Sequence, residues 1–78
     1  RVEYKAINLS TLEELASKNN LTEVTFETLV QAGFVSANDK VKILGNGTIT
    51  RALAVKANAF SKTAEAAIVA AGGSVEKL

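Results

Sequence analysis

Apolar and polar positions alternate with a period of two at the start of the chain, then settle into a helical period. Over Val2–Ile7, Val2, Tyr4 and Ala6 alternate with Glu3 and Lys5, which predicts a short strand with one buried face. Asn8-Leu9-Ser10 leads into a helix whose buried stripe is Leu9, Leu12, Leu15 and Ala16. Ser10 at the N-cap with Glu13 three residues on forms a capping-box pattern, in which each side chain satisfies a free backbone N–H of the other residue. Glu13 and Glu14 fall in the first turn, where the helix dipole favours negative charge. Lys18-Asn19-Asn20 ends this helix, asparagine tolerating the left-handed conformation of a C-terminus. A second helix is capped by Thr25, carries Glu27 in its first turn, turns Phe26, Leu29 and Val30 inward and closes at Gly33. Phe34-Val35 is then expected to re-enter the core, followed by a polar turn over Ser36–Lys40.

In the second half, Val41 and Ile43 alternate around Lys42 as a strand. Gly45-Asn46-Gly47 reads as a tight reversal, and Leu53 and Val55 mark a returning strand with Lys56 beyond. The expected motif is a β-hairpin. Phe60 packs before a final helix that has Ser61 as N-cap, with Ala64, Ala67, Ile68 and Ala71 on one face. Gly72-Gly73 ends that helix, and Val75 begins a terminal strand. Alanines dominate the last helix, so its axis can approach a sheet closely. No sequence repeat is present, although a strand followed by a helix recurs at both ends. The pattern as a whole predicts the α/β class: one small mixed domain over residues 1–78, with three short helices and short strands.

Size and composition narrow the function. A chain of 78 residues buries only a little over ~60% of its unfolded surface, which leaves a small core. Without cysteine or histidine it has no disulfide, no zinc site built on nitrogen and sulfur, and no thiol or imidazole catalysis. Its acids sit mainly at helix starts, which the dipole explains without an active site. No enzyme, no cofactor and no small-molecule substrate is expected. No apolar run reaches the roughly 20 residues of a membrane span and no signal peptide is legible, so a cytoplasmic setting is expected. The start at Arg1 reads as part of a longer protein.

The net charge of +1 hides a division. Residues 1–39 carry three basic residues against six acids, and residues 40–78 carry six against two. From Lys40 to Lys62 there are five cations (Lys40, Lys42, Arg51, Lys56 and Lys62) and no carboxylate. Lys42 and Lys56 each lie between apolar neighbours, so both should project from exposed strand faces, side by side if the strands are adjacent. One reading is a solvated polar face. The other is a phosphate-binding face, completed by the helix N-terminus at Ser61 and Lys62. Gly45-Asn46-Gly47 joins strand to strand and is read as a turn, not as a phosphate loop. Tyr4, Phe26, Phe34 and Phe60 are few and look buried, so contact with RNA would rest on backbone shape and charge rather than base stacking.

The stretch Lys42-Ile43-Leu44-Gly45-Asn46-Gly47-Thr48-Ile49, then Leu53-Ala54-Val55, then Phe60-Ser61 with Ala64, Ile68 and Gly72, resembles the C-terminal signature of the L-fifteen family of large-subunit ribosomal proteins. The earlier INLSTLEEL and VTFETLVQAGFV stretches resemble it too, so the likeness covers nearly the whole chain. The resemblance implies irregular β-β-α turns stacked as a short superhelix, no enzymatic activity, and a place in the ribosome against large-subunit ribosomal RNA and neighbouring ribosomal proteins. It also implies a basic, glycine-rich N-terminal extension, which this sequence does not contain. Lys42, Arg51, Lys56 and Lys62 are the matching basic positions and the candidate phosphate contacts, with Lys40 and Ser61 beside them. The rival expectation is a protein-interaction module that uses the acidic N-terminal half.

Overall fold

The computed structural model describes residues 4–78, so Val2 of the first expected strand lies outside the described residues. The elements run β1 (Tyr4–Asn8), α1 (Leu9–Asn19), β2 (Glu23–Val24), α2 (Phe26–Gln31), β3 (Lys40–Leu44), β4 (Ala54–Ala57), β5 (Ala59–Phe60), α3 (Lys62–Ala70) and β6 (Ser74–Lys77). They form a mixed α/β domain of three helices and two small sheets, ordered β1-β3-β5 and β2-β4-β6. Every pairing is parallel. Successive strands alternate between the sheets, so the chain winds through three coils, each adding one strand to each sheet.

This winding overturns the expected hairpin. β3 and β4 follow one another in the chain but belong to different sheets. Lys42 takes Ala59 as its register partner on one side and Ala6 on the other, while Val55 lies between Val24 and Val75. A turn-forming Gly-Asn-Gly allows a reversal without compelling one. Here the apolar residues of both strands are buried more fully by parallel neighbours from other coils. β2 and β5 were not anticipated, because two residues are too few to show an alternation.

The core lies between the inner faces of the sheets and a layer formed by α1, α3 and the β3–β4 loop. Ile7, Val41 and Ile43 fill it from one sheet, and Val24, Val55 and Ala57 from the other. Leu9, Leu12, Leu15 and Ala16 of α1 are all buried as their spacing predicts, as are Ala64 and Ile68 of α3. In β1 the phase is reversed: Tyr4 is 48% exposed and Ile7 is buried, because the register sets Ile7 beside Ile43. Phe34 likewise stays 45% exposed, and Val35 alone turns into the core.

Local capping follows the sequence at two helices and departs from it at one. Thr25 accepts the Thr28 N–H at 3.2 Å and Ser61 accepts the Ala64 N–H at 3.1 Å. Asn20 takes the left-handed conformation (φ 54°) at the end of α1. The start of α1 is different. It begins at Leu9 with Asn8 at the N-cap and no side-chain cap, so Glu13 and Glu14 lie beyond the first turn. Ser10 instead donates its N–H to the Asn46 carbonyl at 3.2 Å, and Glu13 reaches Thr50. The β3–β4 loop supplies a tertiary partner for each half of the expected local pair.

That loop also explains its glycines. A Cβ on Gly47 (φ +96°) would lie 2.6 Å from the Ser10 Cβ, and one on Gly45 would lie 2.6 Å from the Thr63 Cγ2. The chain passes between the N-terminal ends of α1 and α3 with no room for side chains at these two points.

Candidate nucleic-acid interface

The six candidate residues are divided among three places. Lys40 and Lys42 stand on the outer face of the β1-β3-β5 sheet, both exposed. Their alternation with buried Val41 and Ile43 sends the lysines outward. Lys40 has Tyr4 as its register neighbour, and Lys42 lies between Ala6 and Ala59.

Lys56 belongs to the other sheet. Its Nζ lies 3.7 Å from Glu23 Oε2, and its register neighbour on β6 is Glu76. The expectation that Lys42 and Lys56 stand together on one sheet face is therefore corrected. The cause is topological, since consecutive strands of this winding never share a sheet. The absence of acids from Lys40 to Lys62 also misleads, because the carboxylates beside Lys56 come from β2 and β6.

Arg51 lies in the β3–β4 loop, with a guanidinium nitrogen donating to Ser17 Oγ at 3.4 Å. It is near the Glu13 carboxylate, whose pKa is held below its ordinary value by the Thr50 hydroxyl, then by the Thr50 backbone N–H, with Arg51 adding to the effect. Ser61 is occupied by the fold: its hydroxyl caps α3, and its own N–H donates to the Ile43 carbonyl at 2.9 Å. Lys62, the first residue of α3, is exposed. Lys5 lies near Asp39, whose pKa is lowered by hydrogen bonds from the Ser36 backbone N–H and hydroxyl and further by the Lys5 charge.

Lys40 and Lys42 thus share a face, Lys62 follows β5 at the start of α3, and Lys56 and Arg51 are engaged within the molecule. Tyr4 was missed as a surface residue. The signal was present in Ile7 and Leu9, whose apolar character sets the phase of β1 opposite to the one read from Val2 and Tyr4. Among the described residues no group of histidine, cysteine, aspartate or glutamate could hold a metal ion, and no helix is long and apolar enough to cross a membrane.

Comparison with known proteins gives a consistent result. The family model that groups ribosomal proteins 50S-L15 and 50S-L18e with their 60S counterpart matches residues 6–76. The large ribosomal subunit protein uL15 of Porphyromonas gingivalis is 64% identical over 78 residues, which are all of this chain and 53% of the relative. The uL15 of Bacteroides thetaiotaomicron is 60% identical over the same span, and that of Azobacteroides pseudotrichonymphae is 51% identical over 75 residues. The chain spans about half the length of the curated relatives it matches.

Proposed function

The chain belongs to the uL15 family, non-enzymatic structural proteins of the large ribosomal subunit, and from that premise we propose that it contacts large-subunit ribosomal RNA through its basic side chains. The identity to uL15 relatives along the whole chain is the observation that carries this reading. Lys40, Lys42 and Lys62 are the principal phosphate contacts, being exposed cations with no ion pair among the described residues. Arg51 and Lys56 contribute less, since each already has an intramolecular partner. Ser61 acts by holding the start of α3, which positions Lys62. The setting is the cytoplasmic ribosome, with neighbouring ribosomal proteins as further partners.

Titration of the full-length protein with protein-free large-subunit RNA over a salt series tests the proposal. Each neutralised phosphate releases condensed counterion, so affinity should fall steeply as salt rises. A flat dependence overturns it and favours a protein-contact module instead.

A further inference from the structure

Parallel sheets normally have both faces covered by their connections. The outer face of the β1-β3-β5 sheet is bare: Tyr4, Ala6, Lys40 and Lys42 are exposed, and Ala59 is half-buried. The register arranges them in two rows, Tyr4 beside Lys40, then Ala6, Lys42 and Ala59 across all three strands. The charges on this face are all positive among the described residues. The outer face of the other sheet differs, since Lys56 there lies beside Glu23 and Glu76 and is neutralised within the molecule.

We infer that the bare face seats an unpaired RNA strand, with Lys40 and Lys42 on adjacent phosphates and the Tyr4 ring stacked on a base. This rests on the RNA reading above and specifies its surface and the form of the RNA. Side chains two residues apart on a strand stand about 6.6 Å from one another, a separation that flexible lysine stems can match to neighbouring phosphates. Ala6 and Ala59 leave a low floor on either side of Lys42, so a sugar–phosphate chain can lie close to the sheet. The exposed phenol ring selects the form of the RNA. Base faces are hidden in a duplex and open in a single strand, where an aromatic platform can stack on any base. A protein partner would need acids opposite the two lysines and gains nothing particular from the ring.

The test uses the full-length protein, with circular dichroism to confirm that each variant is folded. Binding to protein-free large-subunit RNA is measured over a salt series. Lys40→Gln with Lys42→Gln should reduce the slope of log affinity against log salt by about 1.4, the value for two phosphates of a single strand. Tyr4→Leu should weaken binding by about tenfold and leave the slope unchanged. A benzophenone-bearing residue in place of Ala6, irradiated in assembled large subunits, should crosslink to an unpaired nucleotide. A crosslink to a ribosomal protein or to a base-paired segment overturns the inference. If the parent protein binds RNA and the variants match it in affinity and slope, this face is excluded while the broader reading stands. If the parent shows no salt-dependent RNA binding, both fall.

Discussion

Glu13 on α1 and Thr50 in the β3–β4 loop are joined twice, the carboxylate accepting the Thr50 backbone N–H at 3.1 Å and the Thr50 hydroxyl as well. The pair links the helix of the first coil to the β3–β4 connection of the middle coil, which carries no helix of its own. An acid positioned for a local capping box is used instead to hold a loop 37 residues away.

The pH dependence of this contact has a definite sign. Glu13 is lowered from its ordinary 4.5 in the folded protein, so its contribution is fully present above that value and is lost as pH falls through the folded pKa. Asp39, lowered from 3.8 by Ser36, acts in the same direction. Glu13→Gln should lower the melting temperature at neutral pH and reduce the loss seen between about pH 5 and pH 3. Thermal melts across that range check it; parallel curves for parent and variant would remove Glu13 from the account.

Gly73 should tolerate no side chain, since a Cβ there would lie 2.2 Å from the Leu53 carbonyl oxygen and 2.8 Å from its nitrogen. Gly73→Ala is expected to cost roughly 3 kcal/mol or more, because backbone atoms would have to move. Gly33 is the control. It has φ +85° but open space around it, so Gly33→Ala should cost only about 1–2 kcal/mol. Urea unfolding of both variants measures the difference.

Ile68 is fully buried between α3 and the sheets. Ile68→Val should cost about 1 kcal/mol, and Ile68→Ala about 2–5 kcal/mol. Ile68→Asp should prevent folding altogether, since a charge in so small a core has no partner. Chemical denaturation of the first two and circular dichroism of the third give the readouts.

Ser61→Ala removes the α3 cap and is expected to cost about 1 kcal/mol. Any loss of RNA affinity should be recovered when the helix is stabilised elsewhere. A loss that persists in a fully folded variant would make Ser61 a direct ligand.

Lys56 and Glu23 are 36% and 52% exposed, so their ion pair should couple by no more than about 1 kcal/mol in a double-mutant cycle. Lys56→Gln should change the salt slope of RNA binding less than Lys42→Gln does. An equal change would place the second sheet against RNA as well.

The sequence alone determined the helices and their inner faces. Leu9, Leu12, Leu15 and Ala16, and likewise Ala64 and Ile68, are buried as spaced, because a helix closes its hydrogen bonds within one segment. Thr25, Ser61 and Asn20 show their roles for the same local reason. Likeness to a ribosomal family was legible from the same residues. Tertiary structure decided which strands pair, whether β3 and β4 form a hairpin, the partner of Glu13, and which lysines share a face. A strand's hydrogen bonds all leave the segment, so an alternating pattern specifies a buried side without naming the neighbour. Lys42 and Lys56 have equivalent local patterns, and only the winding that sends consecutive strands to opposite sheets leaves Lys42 open beside Tyr4 and Lys40 while placing Lys56 next to Glu23.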